Sequence, residues 1–372
     1  MALNTTANSM FLTAETDFGL SMLRLAPASE ALVVSPLSVI FALAMVQAGA
    51  EGSTRSQIDK LIARGAPEDS IADYYSGLSQ QVLKATDGVK NRIANGFFLN
   101  NKYQIEKEYE NTIVKKYSAK VESYDFRKAE ETARTINDFV SKVTEGKIHD
   151  MLEADAVRGA FSVIVNAIYF TAEWQYKFYK NSNTKQMFFS EEGKGKMLDF
   201  MNDRMDHRLY AEDDVVQVLS LTYKDTSYAF NIFLPKKRFA LGEVMKKLDG
   251  SKVQKLLSKL EMTFITLSIP KMKIETKYGL KEALIKMGVT DLFNSKADLS
   301  GICKSPPLQI SDALHNAIIE VDEEGTTAAA ATMFLPVGSA LIMEEPKKFI
   351  ADHPFIFILT EDKNPLFMGQ FV

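Results

Sequence analysis

Residues 323–340 read Glu-Glu-Gly-Thr-Thr-Ala-Ala-Ala-Ala-Thr-Met-Phe-Leu-Pro-Val-Gly-Ser-Ala. A run of alanines favours a helix when nothing opposes it. Here Gly325 stands directly before the run, threonines flank it, and beyond Thr332 the pattern dissolves into Pro336, Gly338 and Ser339. No apolar stripe of helical period ties the stretch to a core. On its own it fits a short helix or an exposed linker as well as a working loop. Upstream, Leu308–Val321 closes on an Ile-Ile-Glu-Val strand; downstream, His353-Pro354-Phe355-Ile356-Phe357 opens another. A connection of about thirty residues between two strands is uncommon in a compact domain and is usually functional or disordered.

Working outward, the first third of the chain reads mainly helical. Ala14–Leu25 has apolar residues at helical spacing. Ser35 and Pro36 supply a cap and a first helical residue for Leu37–Gly49, and Ser53–Ile62 and Ser70–Lys84 continue the pattern. Strand readings follow at Arg92–Leu99, Phe161–Phe170, Val215–Thr222, Tyr228–Leu234, Thr263–Ile269, Phe349–Ile350 and Phe355–Thr360, with helical spacing at Phe126–Val143 between them. Phe161–Phe170 lacks polar alternation, as a strand covered on both faces should. Helices come first and strands dominate later, with no repeat or linker, which predicts one intermixed α+β unit.

Composition narrows the function. A net charge of −4 from 44 basic and 48 acidic residues gives no general attraction to nucleic acid or acidic membranes. The one cysteine, Cys303, excludes an internal disulfide. The start of the chain shows no secretory signal and no spanning segment. No Gly-x-Ser-x-Gly elbow, His-Glu-x-x-His or Cys-x-x-Cys is present. Gly193-Lys194-Gly195-Lys196 lacks phosphate-loop spacing and reads as a turn. Lys84, Lys90 and Arg92 are too sparse for a polyanion site, and Lys246, Lys247, Lys252, Lys255 and Lys259 read as a solvated helix face. The expectation is a protein that is not an enzyme and needs no cofactor or metal.

The chain resembles the serpin family over nearly its whole length. Glu323-Glu324-Gly325-Thr326-Thr327-Ala328-Ala329-Ala330-Ala331 is similar to the hinge of inhibitory members, and His315-Asn316-Ala317-Ile318-Ile319-Glu320-Val321-Asp322 to the strand before it. Asn166-Ala167-Ile168-Tyr169-Phe170 with Trp174 and Phe178 resembles the central-strand signature, and Ser35-Pro36-Leu37-Ser38 with Gly49 the second helix. Ile136-Asn137 with Thr144-Glu145-Gly146-Lys147-Ile148, Ile269-Pro270-Lys271-Met272-Lys273-Ile274-Glu275, Ala297-Asp298-Leu299-Ser300-Gly301 and Pro365-Leu366-Phe367-Met368-Gly369 complete the set. Each is weak alone; their order and spread make them specific.

The resemblance implies one α+β serpin domain over 1–372: a large central mixed sheet, two smaller sheets, surrounding helices, and an exposed reactive-centre loop at about 323–346. It implies a metastable monomer that is cut by a protease, forms an acyl-enzyme through the protease's nucleophile, and traps it by inserting the cut loop into the central sheet. From Thr326 the inward-facing set would be Thr326, Ala328, Ala330 and Thr332, all small and uncharged. Thr326→Arg is therefore expected to convert inhibitor to substrate with the fold intact. Gly325 supplies a pivot without a Cβ. Pro336, which cannot donate to a ladder, implies a local break late in the strand.

By the same resemblance Ser35, Ser38, Asn166 and His315 form a shutter cluster under the sheet. Trp174, Lys271 and Glu323 lie at the breach where insertion begins; as an isolated surface pair, Lys271 and Glu323 would contribute about 0–1 kcal/mol. Counting from the hinge places the cut at Ser339–Ala340. Counting back from His353 gives Met343–Glu344, with Leu341 between. Ser339 implies an elastase-like serine protease or a papain-like, cathepsin L-like cysteine protease; Leu341 or Met343 implies a chymotrypsin-like one. The expected compartment is the cytoplasm, with nuclear or unconventionally released pools as variants. The competing reading is a non-inhibitory carrier or chaperone, for which a bulkier hinge is expected.

Overall fold

The computed structural model describes residues 5–326 and 345–372. The helices are α1 (Thr5–Arg24), α2 (Pro36–Gln47), α3 (Gly52–Ala63), α4 (Glu68–Leu83), α5 (Lys107–Tyr117), α6 (Ala129–Val143), α7 (Ala154–Val157), α8 (Leu241–Lys247), α9 (Gly250–Ser258) and α10 (Leu280–Lys286). The strands are β1 (Leu32–Val34), β2 (Val89–Asn100), β3 (Lys120–Tyr124), β4 (Ser162–Glu173), β5 (Thr184–Glu191), β6 (Lys194–Glu212), β7 (Val216–Thr222), β8 (Tyr228–Pro235), β9 (Glu261–Pro270), β10 (Met272–Gly279), β11 (Asp312–Val321), β12 (Gly325–Thr326), β13 (Lys347–Ile350), β14 (Phe355–Glu361) and β15 (Asn364–Phe371).

The strands form two sheets. A six-stranded mixed sheet runs β10-β11-β4-β2-β3, with β12 attached to β4. A nine-stranded sheet runs β1-β15-β14-β8-β7-β6-β9-β13, with β5 on β6. The two smaller sheets expected from the sequence are thus joined. The long strand β6 pairs with β5 at its start, with β9 from Phe200 to Tyr210 and with β7 at its end, its register against β9 changing between Asp203 and Asp206. The sequence reading passed over β6 because Asn202–His207 is polar and lacks alternation.

The six-stranded sheet is covered on both faces, which explains why β4 is apolar on both faces apart from Asn166 at its middle. Val163, Val165 and Ala167 face a core shared with Ala133, Ile136 and Val140 of α6. Ile164, Ile168 and Phe170 face the main core, to which α2 contributes. Every residue of α2 is buried, consistent with a helix that is apolar all round. The lysines of 246–259 do not share one helix face. Asp249 accepts a hydrogen bond from Lys252 N at 2.7 Å, caps α9, and breaks the segment into two helices.

Candidate functional site

The site is a seam in the six-stranded sheet. β4 and β11 run parallel, paired from Asp312 opposite Val163 to Ile318 opposite Tyr169. Parallel ladders are slightly less stable per residue than antiparallel ones, so this seam is the weaker kind of join. At its middle, His315 and Asn166 are register partners, and their side chains bond across it, His315 Nδ1 to Asn166 Oδ1 at 2.6 Å.

That bond belongs to a buried network. Ser35 N donates to His315 Nε2 at 2.9 Å, and Ser38 Oγ donates to Asn166 Oδ1 at 2.9 Å. Asn166 Nδ2 donates to Ser38 O at 3.1 Å and to Asn95 Oδ1 at 2.5 Å. Ser35 Oγ donates to Leu366 O at 2.5 Å and accepts from Ser38 N at 3.3 Å, capping α2. Because Nε2 accepts from a backbone N–H, the proton sits on Nδ1 and the ring is neutral. Burial pushes the His315 imidazole down to about 3. The four residues predicted as a shutter are therefore together, joined by Asn95, which the sequence reading missed. Asn91 and Asn95 lie four apart in β2 and are both 3% exposed; that spacing on one face was the available signal.

Above the network the seam opens. β11 continues to Val321, the chain turns, and β12 comes back antiparallel to β4, Gly325 opposite Glu173 and Thr326 opposite Ala172. Counted along β4 from Asn166, this is roughly 20 Å away. The turn is clasped by β4 and the segment after it. Trp174 N donates to Glu324 O at 2.9 Å, Phe178 N to Glu323 O at 3.0 Å, and Trp174 Nε1 to Asp322 O at 2.8 Å. Asp322 Oδ1 accepts from Glu324 N and Gly325 N at 2.9 and 3.3 Å. Lys177 and Lys180 lie 3.0 and 3.5 Å from the Glu324 carboxylate.

Lys271 and Glu323 meet as expected, with Lys271 Nζ at 3.0 Å from both carboxylate oxygens and Asn183 donating to one of them. Glu323 is only 4% exposed, so this is more than a surface pair. Burial would raise its carboxyl, but hydrogen bonds from its own N–H, Lys271 and Asn183 outweigh that and hold it below the usual range.

Gly325 is required where it stands. Its φ is +149°, and an added Cβ would lie 2.0 Å from Ala172 O. Thr326 is fully buried, its hydroxyl 2.8 Å from Tyr223 Oη, and Tyr223 stacks on Trp174 at 4.5 Å. This corrects the expectation for Thr326→Arg: the seat is filled before any cleavage, so the variant disturbs the starting structure too. Tyr223 carries no sequence signal, sitting just past a strand end. Thr327–Ala331 of the hinge and the candidate cut residues Ser339, Ala340, Leu341, Met343 and Glu344 lie outside the described residues.

A family model described as Serpin (serine protease inhibitor) matches residues 13–372. The chain belongs to the serpin family. It is 33% identical over 359 residues to human Serpin B3, covering 91% of this serpin and 92% of that protein. It is 33% identical over 371 residues to the leukocyte elastase inhibitor of Sus scrofa, covering 96% and 97%. Serpin48 of the insect Tenebrio molitor, described as a highly specific serpin, superposes with a TM-score of 0.88 at 26% identity, covering 100% of this serpin and 99% of that chain. These likenesses support protease inhibition as the activity of this serpin. No helix among the described residues is long and apolar enough to cross a membrane.

Proposed function

We propose that this serpin is a suicide-substrate inhibitor that traps its target protease as an acyl-enzyme by strand insertion at the β4–β11 seam. The observation that carries the reading is β12. Gly325 and Thr326 already lie antiparallel against the end of β4, beyond the point where its pairing with β11 stops. A strand continuing from Thr326 down the seam exchanges one parallel ladder for two antiparallel ones, a favourable trade per residue. Thr326, Ala328, Ala330 and Thr332 would face inward without burying charge.

In this reading the protease's nucleophile attacks the carbonyl carbon of Ser339 and the Ser339–Ala340 peptide bond breaks. The new amine leaves with the C-terminal portion, and the acyl group stays on the protease. The opening seam must break the His315–Asn166 bond and remake it around the new strand, which makes the cluster a control point. The Lys271–Glu323 pair and the Trp174 clasp set where insertion starts. The small residue at the cut favours elastase-like serine proteases or cathepsin L-like cysteine proteases; cleavage at Leu341 or Met343 would favour chymotrypsin-like ones. The serpin works as a monomer, and a lone buried thiol, Cys303, suits the cytoplasm.

The test is incubation with an elastase, a chymotrypsin and a cathepsin L-like protease, followed by a denaturing gel. A band at the summed mass with release of a small C-terminal fragment is expected, and the fragment's first residue fixes the bond. Clean cleavage with full protease activity across the panel refutes trapping and leaves a carrier or chaperone.

A further inference from the structure

The hinge clasp shares two of its residues with a cavity of about 160 Å³ lined by Trp174, Tyr176, Phe178, Leu209, Leu221 and Met262. Tyr176 and Met262 are 60% and 61% exposed, while Trp174 and Phe178 are buried. The outer pair is thus open to solvent and the inner pair belongs to the core. Among the described residues the lining holds no carboxylate, and its one arginine, Arg208, which lies over the Tyr176 ring at 5.4 Å, is already paired with Asp203 and Asp206. A charged ligand would find no free counter-ion there. Two hydroxyls join the lining, from Ser220, which is buried, and Thr222, which donates to Gln175 at 2.6 Å.

Gln175 and His207 complete the polar part of a lining that is mostly apolar, and a mostly apolar cavity of this size accepts one benzene-sized ring. We propose that the cavity binds a single uncharged aromatic ring carrying one hydroxyl, a ligand of the phenol class, and that occupancy holds the hinge in its seat. The coupling runs through named bonds. The backbone of Trp174 and Phe178 grips the carbonyls of Glu324 and Glu323, the Trp174 indole N–H grips Asp322, and Tyr223 beneath the indole grips Thr326. A ring filling the cavity gives Trp174 and Phe178 a packed neighbour that is lost when they move with the hinge. Ligand and hinge therefore favour the same arrangement, each stabilising the other equally.

Trp174 is the chain's single tryptophan, so its fluorescence reports the cavity directly. The uncut protein is titrated with phenol, beside toluene and Leu209→Phe, in which the larger side chain fills the cavity. The expected result is a saturable change with half-saturation near the millimolar range, weakened at least about tenfold in Leu209→Phe. Hydrogen exchange of the Trp174 and Phe178 amides slows several-fold with phenol in the parent only. Should Leu209→Phe not fold, Ser220→Ala serves, and brings phenol to the affinity of toluene. A change that does not saturate, or that is equal in the variants, overturns the site. Saturable binding with unchanged amide exchange overturns the coupling to the hinge. No protease enters these measurements, so their failure and the failure of protease trapping are separate results.

Discussion

Lowering the pH from 7.5 to 5.0 should weaken the seam through His315 alone by an amount the structure fixes. The imidazole is neutral because its Nε2 accepts from Ser35 N, and burial holds it at about 3 against an ordinary 6.5. A depressed folded value means that the contribution is complete above pH 6.5 and is lost as pH falls toward 3, because the unfolded chain takes up the proton first. At 1.4 kcal/mol per pH unit, about 2 kcal/mol is lost by pH 5.0. The parent alone would not isolate it. Burial raises Glu361 to about 7, and burial also raises Glu15 well above the carboxylate range. Those two groups contribute most at low pH and lose stability as pH rises, the opposite sign. The measurement is therefore a double difference: parent and His315→Gln, urea titrations of the first loss of native signal, at pH 7.5 and 5.0. The gap between parent and variant should narrow by about 2 kcal/mol at pH 5.0. A gap unchanged to within about 0.5 kcal/mol would show that His315 keeps its neutral bonds without a penalty in acid, and the argument from burial would fail.

Thr326→Arg should lower inhibition at least about tenfold and also speed hydrogen exchange at Phe178 and Trp174 in the uncut protein, since an unpaired guanidinium cannot stay in a seat that buries Thr326; normal exchange with lost inhibition would return the effect wholly to insertion. Gly325→Ala places a Cβ against Ala172 O and should unseat β12, cutting the native-state denaturation midpoint by the equivalent of about 2 kcal/mol or more; an unchanged midpoint would mean that the turn relaxes freely. Lys271→Met leaves the Glu323 carboxylate buried with Asn183 as its remaining side-chain partner among the described residues and should destabilise by about 1–3 kcal/mol, more than the surface estimate; a loss within about 0.3 kcal/mol would restore that estimate.

What the sequence disclosed depended on how far each residue's environment is set locally. α2 and β4 were legible because both are predominantly apolar and buried along almost their whole length. The residues expected to form a shutter carried the family resemblance, and the register explains their company: His315 opposite Asn166, Asn166 opposite Asn95. α5 was overlooked although Tyr109, Ile113 and Tyr117 mark its buried face at helical spacing. β6 was not legible, because its middle is polar and its strand character comes from β9 and β7 on either side. Tyr223 and Asn183 act only by meeting the returning hinge, a contact no local pattern encodes.

The two residues of β12 also matter for what they keep out. β4 is bordered by β2 along its length, but on its other side β11 reaches only to Tyr169. Past that point the backbone of β4 would be a short open edge beside a gap, the kind of template on which a strand from another molecule can add. Gly325 and Thr326 occupy that edge with the protein's own chain. A foreign strand must first evict two residues whose turn is fastened by Trp174, Phe178 and Lys271, so the fastenings of this turn would also guard the molecule against joining its neighbours.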